Sequence, residues 1–188
     1  MRKAKIVMIT SYFDRNGVTS QVINYATNLD KNKFQVSIAA GEPYDIGYEK
    51  MCQENNIELC KLPQKHKNAY AYYRTIYSFL KKKKPDIVHV HGSSTLIVAE
   101  LLIAMLVGVP VRVSHSHNTI CSHPLLHQTL KPFLKVVSNC YLACGELAGK
   151  WMYGDGVFKI IPNAFETDAF VLNSETRVSI RKKTRCRR

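Results

Sequence analysis

The fold is decided by residues 85–92, which read PDIVHVHG. The stretch is apolar, contains β-branched residues and lies between a proline and a glycine, a pattern typical of a strand buried in the middle of a parallel sheet. In open parallel sheets the ligand crevice lies beyond the carboxyl ends of the strands, where the strand order reverses. The pattern therefore predicts that His91 and Gly92 lie at the mouth of a crevice, although a histidine at a strand end can also be purely structural.

Strand and helix patterns alternate on both sides of this stretch. Strands are predicted at 6–10, 35–40, 57–62, 86–92, 111–114, 140–144 and 158–161, and helices at 18–29, 44–55, 69–80, 95–107, 125–137 and 146–153. Pro132 is expected to kink the fifth helix or divide it in two. The alternation predicts an α/β fold, a doubly wound, Rossmann-like parallel sheet of about seven strands with helices on both faces.

The net charge of +13 is concentrated in two places, residues 81–84 and the last dozen residues. Because these charges are not interleaved with stacking aromatic residues, a nucleic-acid partner is not expected. The 81–84 cluster at the end of a predicted helix would suit a peripheral contact with an anionic membrane, but a solvated helix end explains it as well.

The cysteine pattern and the N-terminus indicate a reduced, cytoplasmic protein. The 6 cysteines contain no C-x-x-C pair, so neither a zinc site nor a disulfide framework is indicated. The first residues lead directly into a strand without an apolar signal region, and the longest apolar run, 96–107, is interrupted by Glu100.

Several enzyme classes are excluded by missing motifs. The loop after the first predicted strand lacks G-x-G-x-x-G, which argues against a nicotinamide dehydrogenase. The chain also lacks a G-x-S-x-G elbow, a P-loop and a paired-carboxylate motif, which argues against hydrolases, nucleoside triphosphatases and simple glycosidases. Gly17, at the start of the first predicted helix, could let backbone N–H groups approach a phosphate, or it could be a plain turn residue.

Histidines occur two residues apart on two predicted strands, as His89 and His91 and as His115 and His117. Because side chains alternate along a strand, both members of each pair point to the same face. A metal site could use that geometry, but no carboxylate lies at a convincing spacing, so no metal is predicted.

Four segments, taken in order, resemble a known family. They are Asn16-Gly17-Val18, residues 85–92, His115-Ser116-His117-Asn118, and residues 160–165, which read IIPNAF. Over residues 3 to 170 the chain resembles the N-terminal domain of retaining GT-B glycosyltransferases of family 4, especially bacterial members that build capsular and exopolysaccharides. The resemblance implies an enzyme in which this half binds mainly the acceptor and a second half binds the nucleotide-sugar.

The resemblance also implies roles for individual residues. His117 stands where the family carries a catalytic cleft histidine that touches the transferred sugar or the acceptor, and Gly17 where a glycine-rich loop meets the donor phosphates. Asn16 replaces the usual first glycine of that loop. The implied acceptor- and donor-binding set is Asn16, Gly17, His91, Gly92, Asn118 and Asn163. The implied partners are a nucleotide-sugar donor and a saccharide or lipid-linked acceptor, with no cofactor.

The resemblance divides the chain into a glycosyltransferase N-terminal domain at 1–170 and a basic tail at 171–188, the start of a linker or second domain. The expected function is sugar transfer from a nucleotide-sugar in surface polysaccharide biosynthesis. Because the donor-binding half is expected to lie outside this chain, residues 1–188 alone are not expected to transfer sugar. The alternative is a non-catalytic binding module or truncated product that keeps the fold.

Overall fold

A computed structural model of the chain describes residues 2–164 and 173–184. The strands are β1 Ala4–Thr10, β2 Phe34–Gly41, β3 Glu58–Leu62, β4 Ile87–Gly92, β5 Val111–Ser116, β6 Cys140–Ala143 and β7 Lys159–Ile160. The α-helices are α1 Gly17–Asn28, α2 Ile46–Glu54, α3 Ala69–Lys83, α4 Val98–Leu106, α5 Pro124–Val137, α6 Glu146–Tyr153 and α7 Ser174–Thr184, with a 3₁₀ turn at Thr95–Ile97 before α4.

The strands form one parallel sheet in the order β3-β2-β1-β4-β5-β6-β7. From β1, the sheet continues through β2 and β3 in one direction and through β4 to β7 in the other, so the strand order reverses between β1 and β4. This confirms the predicted doubly wound, Rossmann-like sheet. The connections that leave the carboxyl ends of β1 and β4 therefore run in opposite directions. Sheets of this kind bind ligands at that point.

Each face of the sheet has its own core. On one face, α1 and α2 pack on β1 and β2 around Met8, Val22 and Ile38. On the other face, α3 to α6 pack on β1 and β4 around Val88, Leu101 and Leu134. Helices on both faces were expected from the sequence, because a parallel sheet must bury both of its faces.

The central strand β4 presents different chemistry to its two faces. Val88 and Val90 are buried in the core beneath α3 to α6. His89 and His91 alternate with them and therefore face α1. The run that looks uniformly buried in the sequence is thus apolar on one side and lined by imidazoles on the other.

Two local features narrow the sequence-based expectation. Of the two effects expected of Pro132, division of the helix is not found, because α5 runs from Pro124 to Val137 in one piece. Pro132 and Gln128 are both exposed, so water can satisfy the Gln128 carbonyl that loses its partner N–H. In addition, β5 is longer than the predicted 111–114 and includes His115.

The proposed domain boundary between residues 170 and 171 lies outside the described residues, as do residues 185–188 of the tail. Within residues 173–184 the chain forms α7. No helix among the described residues combines the length and the hydropathy that crossing a bilayer requires.

We expect Leu101→Ala to lower the free energy of unfolding by about 2–5 kcal/mol, because Leu101 is 0% exposed and its loss leaves a cavity between α4 and the sheet. Urea unfolding followed by circular dichroism measures the change. Leu106→Ala on the same helix is the matched control: Leu106 is 69% exposed, so its loss should cost less than about 0.5 kcal/mol. Equal losses in the two variants would contradict the assignment of the core.

Candidate ligand-binding cleft

A cleft of about 850 Å³ lies at the carboxyl edge of the sheet, where the strand order reverses. Its walls come from the loops that follow β1, β4 and β5, from the start of α1 and from the segment at 161–164. All of the site residues predicted from the sequence line this one cleft: Asn16, Gly17, His91, Gly92, His117, Asn118 and Asn163.

The N-terminus of α1 forms one wall. Asn16 is its N-cap, in an extended conformation, and its Oδ1 accepts a hydrogen bond of 2.9 Å from the Thr19 N–H. Asn16 in place of a glycine is therefore a cap and requires no glycine-only geometry. Gly17 and Val18 supply the first N–H groups of the helix, which have no partner within it. A Cβ at Gly17 would meet no atom within 4 Å, so this position is open to the cleft.

His91 and His117 meet across β4 and β5. His91 Nδ1 lies 2.9 Å from His117 Nε2. The backbone N–H of His117 donates to the Gly92 carbonyl at 3.1 Å. His91 is fully buried, whereas His117 is partly exposed at the cleft. The other ring nitrogens, His91 Nε2 and His117 Nδ1, are buried and find no hydrogen-bond partner among the described residues.

The remaining predicted residues contribute in different ways. Gly92 is needed for packing, because a Cβ there would lie 2.5 Å from Ile97 Cγ2. Asn118 is exposed, and its Oδ1 accepts from the Thr119 N–H at 2.8 Å. Asn163 is exposed in a segment that α1 holds, because the adjacent Ala164 N–H donates to Gln21 Oε1 at 2.9 Å.

Burial keeps the imidazoles of this region neutral. Desolvation lowers the pKa of His117 from its usual 6.5 to about 4. Desolvation together with the charge of neighbouring imidazoles lowers the pKa of His89 to about 3, that of His115 to about 2 and that of His91 well below its usual value. At neutral pH each ring therefore carries one N–H donor and one lone pair.

The cleft also contains an ion pair between a partly exposed lysine and a buried carboxylate, which the sequence analysis did not predict. Glu100 Oε1 lies 2.8 Å from Lys65 Nζ and accepts from the Tyr72 hydroxyl at 3.2 Å. Burial is the largest single influence on Lys65 and opposes its charge, but the interactions with Glu100 and Tyr73 together outweigh it and raise the pKa of Lys65. The one available signal was that Glu100 interrupts an apolar run. Its partner Lys65 comes from the loop after β3, which sequence spacing does not connect to α4.

Two acceptor atoms, one on Glu100 itself and one on the neighbouring Gln64, find no partner in the part of the chain that the structure describes. Glu100 Oε2 and Gln64 Oε1 are buried, and no donor among the described residues reaches them. Buried oxygens of this kind are usually satisfied by water or by a ligand. Both residues line the cleft beside His91 and His117.

Fold and cleft together define the class of this domain, a Rossmann-like domain of the GT-B type. The model of Glycosyltransferase Family 4 matches residues 15–169. The chain therefore belongs to glycosyltransferase family 4.

Individual relatives agree with this assignment. The chain is 25% identical over 185 residues to EpsF of Bacillus subtilis (strain 168), a protein with the provisional name of glycosyltransferase. The match covers 91% of this chain and 48% of EpsF. Among solved structures, a glycosyltransferase from Rickettsia africae ESF-5 matches with a TM-score of 0.67 at 15% identity, covering 100% of this chain and 51% of that one.

Anabaena Alr3699/HepE, solved in complex with UDP, matches with a TM-score of 0.69 at 10% identity, over 96% of this chain and 50% of that chain. The structural matches establish the fold. The chain spans about half the length of these relatives.

We expect the free energy of unfolding to fall as the pH drops from about 6.5 towards about 4. In this window the unfolded histidines, with pKa near 6.5, bind protons that the buried rings, with pKa near 4 or below, do not. Each such ring contributes a slope of up to about 1.4 kcal/mol per pH unit. Urea unfolding at a series of pH values measures the slope.

The variant His117→Gln should reduce that slope, whereas His66→Gln, at an exposed histidine, should leave it unchanged. A stability that does not change across the window would contradict the neutral, desolvated state of these rings.

Proposed function

We propose that this chain forms the acceptor-side domain of a retaining glycosyltransferase, which transfers a sugar from a nucleotide-sugar to a saccharide or lipid-linked acceptor in surface polysaccharide biosynthesis. The observation that carries the proposal is the convergence of residues from six separate stretches of the chain on one cleft at the switch point of the sheet. Because the chain spans about half the length of its relatives, the proposed sugar transfer is an activity of a larger protein.

The polar lining of the cleft suits a saccharide. Sugar hydroxyls both donate and accept hydrogen bonds, and the cleft offers partners of both kinds. Glu100 Oε2 and Gln64 Oε1 are unsatisfied acceptors among the described residues, and neutral His117 can donate one hydrogen bond. A ligand that satisfied these atoms would recover the desolvation cost of about 1–3 kcal/mol that each unpaired buried group carries.

The start of α1 suits the diphosphate of a donor. The Gly17 and Val18 N–H groups and the positive end of the helix dipole favour an anion there. The UDP complex of Alr3699/HepE supports a nucleotide-sugar as the donor. One domain supplies only one wall for such a molecule, so tight donor binding and clamping of the leaving phosphate require groups beyond this chain.

The family's retaining chemistry assigns a limited role to the protein. The departing diphosphate helps to remove the proton from the attacking acceptor hydroxyl, so no protein nucleophile is needed. The neutral His117 ring holds a hydroxyl of the transferred sugar or the acceptor by a hydrogen bond. The fixed position of this ring, bonded to buried His91, makes it a preorganised partner for that hydroxyl.

A peripheral contact with an anionic membrane, on the cytoplasmic side, would bring the domain to a lipid-linked acceptor. The basic end of α3, Lys81 to Lys84, supports this proposal. Lys83 is engaged by an ion pair with Glu58, so the remaining lysines of the cluster would make the contact.

The phosphate role of Gly17 is tested by two-dimensional ¹H–¹⁵N spectra of the chain during titration with UDP or pyrophosphate. We expect the Gly17 and Val18 amide signals to shift, and Gly17→Leu to abolish the shift without unfolding the protein, because the added side chain enters open space.

The matched control is Gly145→Leu at the N-cap of α6, where a Cβ also meets nothing within 4 Å. It should leave the titration unchanged. If the amide signals shift equally in the wild type and in Gly17→Leu, the phosphate does not bind at the start of α1.

The role of His117 is tested in a full-length relative that carries the same four motifs. We expect the substitution that corresponds to His117→Ala to lower the transfer rate by about 10-fold or more, or about 1.4 kcal/mol of barrier. His117→Gln should restore part of the rate, because its amide can still donate a hydrogen bond. Unchanged turnover in the alanine variant would leave His117 as a structural residue.

The isolated 188-residue chain is expected to show no turnover with nucleotide-sugars and lipid-linked acceptors. Micromolar donor binding together with turnover by this chain alone would contradict the proposal that tight donor binding requires groups beyond this chain. If the acceptor binds both to this chain and to the full-length relative, and adding a nucleotide-sugar changes nothing in either, a non-catalytic binding module would be favoured.

A further inference from the structure

Four histidines form one cluster on the α1 side of β4 and β5. Register pairs His91 with His115 across the two strands, and His89 and His117 extend the cluster at either end. Tyr25 of α1 packs over it, with ring centroids 6.3 Å from His91 and 5.9 Å from His115. The sequence places each pair on one face, but only the register shows that the two pairs are adjacent.

The cluster contains more imidazole nitrogens than it can pair internally. His89 Nε2 lies 3.1 Å from His115 Nδ1, and His91 Nδ1 bonds His117. Three ring nitrogens of the cluster are buried without a partner among the described residues: His91 Nε2, His115 Nε2 and His117 Nδ1. Leaving such atoms unsatisfied costs about 1–3 kcal/mol each. Two of them belong to His91 and His115, which are neighbours in the middle of the cluster, and they indicate a missing component there.

We infer that His89, His91 and His115 bind a transition-metal ion of borderline softness, of the Zn²⁺ class. Each residue offers one ring nitrogen, and the three nitrogens lie within 4.8 Å of one another. A tetrahedral ion with metal–nitrogen bonds of about 2.0–2.1 Å holds its ligands about 3.3 Å apart. Modest rotation of the rings closes that difference.

The surroundings support nitrogen ligation by a borderline ion. Imidazole suits Zn²⁺, Co²⁺, Ni²⁺ and Cu²⁺, whereas Mg²⁺, Ca²⁺ and Mn²⁺ prefer carboxylates. The described residues that line the adjoining cavity include no aspartate or glutamate.

An orienting contact and an entry path are both present. The bond from His91 Nδ1 to His117 fixes the His91 ring and leaves Nε2 for the ion, in the manner of the outer partners that orient metal-binding histidines. A cavity of about 590 Å³ between α1 and the sheet is lined by His89 and His115. It provides access for the ion and space for a water as a fourth ligand.

This inference does not depend on the proposed sugar transfer. His117 stays in the cleft and is not a ligand of the ion. The ion would fix His91, which contacts His117, and would hold the carboxyl ends of β4 and β5 together.

The test is titration of the tag-free, chelator-dialysed full chain with Co²⁺. We expect one ion per chain, visible d–d absorption bands of a four- or five-coordinate nitrogen site, displacement by Zn²⁺ and a higher unfolding temperature with metal. His89→Gln and His115→Gln should each weaken binding by about 10-fold or more. The double variant His66→Gln/His123→Gln, at two exposed histidines, is the matched control and should bind like the wild type.

A second measurement keeps the inference testable if the cluster variants do not fold. In ¹⁵N-histidine spectra of the wild-type chain, Zn²⁺ should shift the ring nitrogens of His89, His91 and His115 and leave those of His66 and His123 in place. No stoichiometric binding at micromolar ion would overturn the inference. So would a strong thiolate-to-cobalt charge-transfer band, which would place the ion on cysteines.

Discussion

The parallel pairing of β4 with β1 on one side and β5 on the other is the constraint on which the rest of the structure depends. Ile6 to Ile9 pair with Ile87 to Val90, and Ile87 to Gly92 pair with Val111 to Ser116. Because parallel strands end at a common edge, this pairing delivers the loops after β1, β4 and β5 to one place. The reversal of strand order between β1 and β4 then opens a cleft there instead of filling it with a crossover connection.

The same pairing concentrates imidazoles in the interior. Because alternation places the valines of β4 on one face, it must place His89 and His91 on the other, and the register then adds His115 beside them. Imidazoles tolerate this burial by remaining neutral and by bonding each other, as His91 bonds His117. The sheet thus stabilises the fold with one face of β4 and holds polar, uncharged groups next to the cleft with the other.

The fold could be predicted largely from local patterns, because strand and helix periodicities and the bounding prolines and glycines are written in the sequence. The lining of the cleft by Gly17, His91 and His117 could also be predicted, since each lies close to the end of a predicted strand or to the start of a predicted helix. Their roles stay predictions, because position alone does not show which ligand they touch.

The parts that sequence did not reveal depend on tertiary contacts. The Glu100 to Lys65 pair joins α4 to a loop 35 residues away, and no spacing rule connects such residues. The undivided α5 depends on Pro132 lying on the solvent side of its helix, which local propensity cannot determine. The contact of His89 with His115 requires the register of two strands, and a shift of one residue would turn every imidazole of one strand to the other face.

Helix α1 positions two parts of the cleft lining. Its first residues, Gly17 and Val18, line the cleft. Its middle holds the segment that carries Asn163, because Gln21 Oε1 accepts from the Ala164 N–H at 2.9 Å and Asn24 Nδ2 donates to the Ala164 carbonyl at 2.7 Å. Asn163 therefore keeps its place relative to Gly17 through one rigid helix. A ligand that contacts both residues meets a preformed site, and less of its binding energy is lost in ordering the protein.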